Sequence, residues 1–508
     1  MRAREPDRSD IVERDGVKIA YEVHGEGNDP TVLLAPTWSI VHSQIWKAQV
    51  PYLARHFRVV TLDGRGNGRS DRPTGASAYI DDAYADDIVA VMDATDTDRA
   101  TLVGLSMGAL WGVLVAARHP ERVTGLLVIG PATGLEVPSP RRNRTQWDKE
   151  LEAPEGWAKF NRAHWLGGGH DDFLRFFFSE MFVEPHSTKQ IEDCVGWGLE
   201  TDPDTLVATI EASGAVAQTA TVFEERCRQV RCPVLVVHGS DDHIRPHAEG
   251  ERLAEVIGAP LLTIDGGGHG IPARDPVHIN HLIKDFVDRT GSTAPPSRAT
   301  WTRARNRPKR ALYISSPIGL GHARRDLAIA HELRQHHPDV QIDWLAQPPV
   351  TTMLAAAGEQ VHPGSSWLAS EVAHIDDECA EHDLHAFQAI RRMDEILVNN
   401  FMVFHDIVAT DHYDLVIGDE AWDVDYFLHE NPELKRFAFA WMTDFVGWLP
   451  MPEGGTAESA ITADYNAEMI EQRARFRRLR DRSIFVGDPD DIVPDTFGPG
   501  LPGIRDWT

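Results

Sequence analysis

Along the first half of the chain, short apolar runs alternate with stretches of helical periodicity. "TVLLAP" (31–36), "FRVVTLD" (57–63), "ATLVGLS" (100–106), "VTGLLVIG" (123–130), "CPVLVVHG" (232–239) and "APLLTID" (259–265) are apolar without a two-residue alternation. Such runs, separated by helices, predict buried strands of a parallel sheet covered on both faces. "IVERDGVKIAYEVHG" (11–25) instead alternates about Asp15-Gly16 and predicts an antiparallel edge hairpin. Between the fourth and fifth parallel runs lies a helical, aromatic-rich stretch from about 135 to 230, too long for a crossover. It predicts an inserted subdomain. Its aromatic residues, Trp147, Trp157, Trp165, Phe173, Phe176, Phe177, Phe178, Phe182 and Trp197, are expected mostly to form the insert's own core, with about one in three facing a ligand.

The pattern breaks at "RTGSTAPPSRATWTRARNRPKR" (289–310), rich in Pro, Ser, Thr and Arg and without apolar periodicity, as an exposed linker is. Beyond it, "KRALYISSPIGLGHARRDLAIAHELRQ" reads as strand, glycine loop and helix. "VQIDWLAQ" (340–347), "YDLVIGDE" (413–420) and "RFAFAWMTD" (436–444) add buried runs. The organisation expected is an α/β unit over 1–288 with a helical cap at about 135–230, a linker over 289–308, and a second, Rossmann-like α/β unit over 309–508.

Composition narrows the function. The 508 residues carry a formal net charge of −28, so a nucleic-acid partner is not expected. The basic residues of the 289–310 stretch then read as those of a solvated connector. Four cysteines at irregular spacing predict free thiols rather than a disulfide framework. The first sixteen residues, "MRAREPDRSDIVERDG", carry no apolar run of a secretory signal, and no apolar stretch reaches the roughly 18 residues of a membrane span. A cytoplasmic location without membrane contact is the expectation, with no metal and no cofactor.

The densest chemistry sits at "LVGLSMGALWG" (102–112). A strand that turns at once into a helix exposes the Ser106 hydroxyl, with Gly104 and Gly108 where side chains would collide. The turn aims the Met107 N–H, at the helix N-terminus, toward whatever Ser106 attacks. A serine nucleophile needs a base, and the base an orienting acid. "VLVVHGSDDHIRP" places Asp241 and Asp242 just after one strand, and "LLTIDGGGHGIP" places His269 just after the next. Residues that follow parallel strands converge on one sheet edge. Ser106, an aspartate and His269 can therefore meet.

On these residues, with "DGRGNGRSDRP" (63–73) and "PVHINHLIKDFV", the stretch from about 11 to 287 resembles the α/β-hydrolase family. The resemblance implies Ser106 as nucleophile, His269 as general base and Asp242 as the acid, because members place the acid three residues beyond the glycine matching Gly239. Asp241 is the alternative and Glu136, after the fourth parallel run, the third choice. The glycines at 64, 66 and 68 lack the spacing and following helix of a dinucleotide loop. Where many members carry His-Gly, this chain reads Ala35-Pro36-Thr37-Trp38. Pro36 has no N–H, so Thr37 or Trp38 is expected to complete the oxyanion hole with Met107. The insert matches the family's cap, and its aromatics imply an apolar ester substrate. A serine nucleophile excludes epoxide hydrolase and dehalogenase chemistry, leaving esters, lactones, thioesters, carbon–carbon diketones and peracid formation.

In the second unit, "SSPIGLGHARRD" sets Gly319, Gly321 and His322 between a strand and a helix, where backbone N–H groups face an anion and a histidine can deprotonate a hydroxyl. The stretch from about 309 to 508 resembles the N-terminal, acceptor-binding half of glycosyltransferases built from two Rossmann-like domains, through Gly321, His322 and Arg325. Asp419, after "DLVIG", is the expected partner of His322. The chain stops at "GPGLPGIRDWT", where the donor-binding domain of that family is expected to begin, so acceptor recognition or a structural role is expected rather than sugar transfer. "HIDDECAEHDLH" (374–385) puts His374, Glu378 and His382 or His385 at helical spacing, and reads as a solvated face rather than a metal site. Three functions compete: a serine hydrolase forming an acyl-enzyme, a glycosyl-acceptor protein without its donor module, and a non-catalytic small-molecule binder on a hydrolase fold.

Overall fold

The computed structural model describes residues 2–135, 137–139, 141, 146–215, 220–291, 307–379 and 385–507. Glu136, His382 and most of the 289–308 linker lie outside the described residues. The chain divides into two compact units, one of Glu5–Ala294 and one of Pro295–Thr508 with Met1–Arg4.

The eight strands of the first unit are β1 (Arg8–Arg14), β2 (Val17–His24), β3 (Thr31–Leu34), β4 (Arg58–Leu62), β5 (Ala100–Leu105), β6 (Val123–Ile129), β7 (Val234–Gly239) and β8 (Leu261–Ile264). They form one sheet in the order β1-β2-β4-β3-β5-β6-β7-β8. β1 pairs antiparallel with β2, and β2 with β4; the remaining pairs are parallel. The β1–β2 turn has positive φ at both Asp15 (53°) and Gly16 (78°), the geometry whose twist suits a two-residue hairpin. β3 and β5 are buried along their whole length, as strands covered on both faces must be. The expectation of full burial fails for β8. It is the sheet's last strand, has one neighbour, and stays half-exposed.

The predicted insert lies between β6 and β7 as a set of helices that includes His170–Met181, Thr188–Leu199 and Pro203–Ala215. Its aromatics do pack on one another. Trp165 and Phe173, both fully buried, have ring centroids 4.4 Å apart, and Trp147 lies edge-on to Trp165 at 4.9 Å. Trp197, by contrast, is half-buried under the Lys47 ammonium.

The second unit holds a six-stranded parallel sheet: β9 (Arg310–Ile314), β10 (Gln341–Leu345), β11 (Gln360–Val361), β12 (Leu415–Asp419), β13 (Ala438–Thr443) and β14 (Arg482–Phe485). Its order is β11-β10-β9-β12-β13-β14. Strand order therefore reverses between β9 and β12, and in open parallel sheets such a reversal opens a crevice beyond the strand C-termini. The two-residue β11 and the polar β14 escape prediction because neither shows a run of apolar residues. The helix Leu320–His336 follows β9 with Gly319 as its N-cap. Gly321 and His322 thus belong to its first turn and not to a loop. The reason is local: nothing after Gly319 interrupts helical backbone, and a Cβ on Gly321 would meet no atom within 4 Å.

Candidate active site

Ser106 sits between β5 and the helix Met107–Arg118 with φ 55° and ψ −115°. A non-glycine residue in that region costs about 1–3 kcal/mol unless its surroundings hold it there. Three backbone hydrogen bonds do so: Ser106 N–H donates to the Ile129 carbonyl at 3.0 Å, while its carbonyl accepts from Ala109 N–H at 3.1 Å and Ala132 N–H at 3.0 Å. The flanking glycines are sterically required. A Cβ on Gly104 would fall well inside contact with the Gly108 carbonyl, and one on Gly108 would strike the Pro36 carbonyl.

The acid and the imidazole meet. Asp242 Oδ2 accepts from His269 Nδ1 at 2.7 Å, and both side chains are buried. Asp242 Oδ1 accepts from the backbone N–H groups of Ile244 and Arg245, each at 2.8 Å. A fourth donor carries no mark in the sequence: His238 of β7, fully buried, lies 3.1 Å from the same Oδ2 through its Nε2. That Nε2 also lies 3.1 Å from the Arg245 carbonyl, so with two oxygens to serve it carries the proton. Burial pushes the Asp242 carboxyl upward, but the His269 and His238 imidazoles outweigh it and hold the group well below the usual carboxylate range. Asp241 is exposed and turned away toward His243 at 3.1 Å. Of the two aspartates, Asp242 is the one in contact with His269.

The glycines around His269 have packing reasons that the sequence alone does not disclose. A Cβ on Gly239, at the end of β7, would overlap the Gly267 carbonyl, and one on Gly270 would overlap the Phe182 ring of the insert. His269 N–H and Gly270 N–H donate to the Met181 carbonyl at 2.9 and 3.2 Å, and Gly268 N–H donates to Glu184 Oε1 at 2.7 Å. The end of the insert's His170–Met181 helix thus cradles the histidine loop.

Ser106 and His269 reach the same strand end. Ser106 bonds β6 at Ile129, and a Cβ on the next residue, Gly130, would stand 3.1 Å from His269 Nδ1 and 3.3 Å from Asp242 Oδ2. Among the described residues no hydrogen bond joins the Ser106 hydroxyl to the imidazole. In apo enzymes the alcohol–base contact is commonly long, and tightens when substrate binds. Met107, the first residue of its helix, leaves its N–H outside the helical ladder. Thr37 and Trp38 follow Pro36, whose carbonyl lies against Gly108. The Trp38 side chain joins the insert, donating through Nε1 to Thr209 Oγ1 at 2.8 Å and standing edge-on to Phe177 at 5.5 Å. In the glycine run at 64–68, a Cβ on Gly68 would meet the Asp63 carboxylate at 2.6 Å. Asp63 binds Ser43 Oγ and Arg69 N–H, and Arg65 forms a buried two-pronged pair with Asp87 at 2.7 Å.

In the second unit His322 Nδ1 lies 2.9 Å from Asp419 Oδ2, at the end of β12. Arg325 completes the group, donating to Asp419 Oδ1 at 2.5 Å. Gly321 joins no such contact. Deeper in, Asp326 accepts from Tyr313 and Ser315 hydroxyls at 2.9 and 2.6 Å; burial and the neighbouring Asp419 charge push it up to about 7. Next along the chain Glu420 takes φ 51° and braces the Thr443–Asp444 turn through both carboxylate oxygens. The His374 ring is used by the core, its Nε2 bonding the Ala389 carbonyl at 2.8 Å, and its helix ends at Glu378. The rest of the 374–385 stretch, residues 380–384 with His382, lies outside the described residues. Among the described residues no three His, Cys, Asp or Glu side chains are grouped to hold a metal. The four cysteines are free, and no described helix is long and apolar enough to cross a membrane.

Residues 23–275 match the family model described as alpha/beta hydrolase fold. A protein of Caulobacter sp. (strain K31), provisionally named carbamate hydrolase RutD, is 29% identical over 53% of this chain and 95% of its own length. The bifunctional esterase/perhydrolase DCH of Acinetobacter calcoaceticus is 27% identical over 54% of this chain and 98% of its own. A crystal structure of a hydrolase from Pseudomonas aeruginosa PA01 is 24% identical, covers 55% of this chain and 98% of its own, and superposes with a TM-score of 0.47.

Proposed function

With residues 23–275 assigned to the α/β-hydrolase fold, we propose that the first unit is a serine hydrolase of small, apolar ester-like substrates. Ser106 attacks the carbonyl, its proton passing to His269 Nε2. The N–H of Met107, with that of Thr37 or Trp38, receives the oxyanion. The imidazolium protonates the leaving group, and the same ring then activates the water that releases the acid from Ser106. The Asp242 carboxylate holds Nδ1 protonated, so that Nε2 is the basic nitrogen throughout. Relatives named for carbamate, ester and enol-lactone hydrolysis are consistent with this range of carbonyl substrates.

The observation that carries the reading is the buried 2.7 Å Asp242–His269 pair beside a serine held at positive φ. A fluorophosphonate probe tests it: labelling is expected in the wild type and absent in Ser106→Ala. An unlabelled wild type that is stabilised by ligands would instead support a non-catalytic binder. The boundaries 1–288, 289–308 and 309–508 belong to the same proposal, as does a cytoplasmic setting. For the second unit, the His322–Asp419 pair at the β12 terminus favours a Rossmann-like, glycosyl-acceptor site in which His322 takes a hydroxyl proton. Saturable binding of sugar or polyol acceptors that is lost in His322→Ala tests that reading.

A further inference from the structure

The second unit also holds a cavity of about 360 Å³ beside β13 and β14, separate from the His322–Asp419 group. Its lining is partly apolar and aromatic, with Trp422, Trp441, Phe445 and Ile470, and partly cationic, with Arg473, Arg477 and Arg480. Trp422 and Trp441 meet edge to face at 5.0 Å, and Trp422 and Phe445 at 5.5 Å, so the rings hold one another in a cluster that can offer a ring face and a ring edge to an aromatic partner.

The three cations are not equivalent. Arg480 is neutralised, gripping both Asp425 oxygens and lying 4.7 Å over the Trp441 ring. Among the described residues Arg473 has a single polar contact, its Nη1 lying 3.4 Å from His429 Nε2. Burial first, and then the like charge of Arg480, drive its guanidinium down to about 10. Arg477 is exposed, and among the described residues neither it nor Arg473 has a carboxylate within ion-pair distance. In a chain with 78 acidic and only 50 basic side chains, two adjacent arginines facing an aromatic cavity without a carboxylate stand out. The Trp441 indole N–H, 1% exposed, also has no acceptor among the described residues.

We propose that this cavity binds a planar apolar carboxylate, its ring system against Trp422 and Phe445 and its head group held by the forks of Arg473 and Arg477. A guanidinium presents two parallel donors matched to a carboxylate. The half-buried Arg473 charge, repelled by Arg480, gains a counter-ion when the site fills. A polyanion is disfavoured by the net charge of −28, which leaves a small anion as the partner.

The test is titration calorimetry of the full chain with 2-naphthoate and with neutral 2-naphthalenemethanol. Naphthoate is expected to bind one-to-one, about tenfold or more tighter than the alcohol, and to weaken as salt is raised. Arg477→Gln, at an exposed position, is expected to weaken naphthoate about tenfold, as is Arg473→Gln, with Arg473→Lys recovering part of the loss. Arg478→Gln, which does not line the cavity, is expected to change nothing. Ser106→Ala is expected to bind naphthoate like the wild type, which separates this site from the first unit. Absence of saturable naphthoate binding, equal affinity for the alcohol, or unchanged affinity in correctly folded Arg477→Gln would overturn the proposal.

Discussion

Replacing Asp242 by Asn changes one atom in a buried network and tests the catalytic reading most directly. Oδ1 faces two backbone N–H groups at 2.8 Å, so the amide oxygen must take that side. The amide NH2 is left facing His269 Nδ1 and His238 Nε2, where Oδ2 had accepted at 2.7 and 3.1 Å. Nδ1 of His269 must then accept, which moves its proton to Nε2, the nitrogen that has to receive one from Ser106. The ring is in place but in the wrong tautomer. The same exchange in the template triad costs about 10⁴ in kcat, and a loss of that order, with KM within about threefold, is expected here. Steady-state hydrolysis of p-nitrophenyl esters of graded chain length measures it. Asp241→Asn, exposed and with a carboxylate that among the described residues contacts His243, is the control and is expected to stay within about twofold. An Asp242→Asn enzyme that keeps a tenth of wild-type kcat, or an Asp241→Asn enzyme that loses as much, would refute the reasoning.

Other expectations follow from the same contacts. Because the folded-state carboxyl of Asp242 lies below its unfolded value of about 3.9, its stabilisation is complete above roughly pH 4 and lost on further acidification; thermal melts of Asp242→Asn should therefore lack that part of the wild-type decline. Asp326 has the opposite sign. Held at about 7 in the fold, it stays protonated while the unfolded group ionises, so stability should fall between about pH 4 and 7, and Asp326→Asn should flatten that slope in urea titrations. His238→Phe removes one donor to Asp242 and strands the Arg245 carbonyl, with an expected destabilisation of about 1–3 kcal/mol by urea unfolding and a kcat loss far smaller than that of Asp242→Asn. Gly239→Ala drives a methyl into the Gly267 carbonyl and should cost about 1–3 kcal/mol while loosening His269, read as lower kcat together with a lower melting temperature.

Periodicity and local chemistry were enough to place the eight-stranded unit. Its apolar runs, hairpin turn and elbow glycines report short-range constraints, and each coincides with an observed element. The approach of Asp242 to His269 was legible for the same reason: strand ends in a parallel sheet share one edge, so position relative to a strand stands in for position in space. What the order of residues alone could not supply is every contact made across the fold. His238 looks like an ordinary buried strand residue until β7 and the following loop fold its imidazole onto Asp242. Glu184 gains its place only when the insert packs against the histidine loop. In the second unit the glycines at 319 and 321 predict a loop through His322, whereas the helix begins at Leu320 with Gly319 as its N-cap. Likewise only the packing of β13, β14 and the helix Trp422–Glu430 gathers Arg473, Arg477 and Arg480 around an aromatic hollow. Local backbone preference is encoded residue by residue. Long-range juxtaposition depends on which surfaces bury one another, and that was decided only by the folded chain.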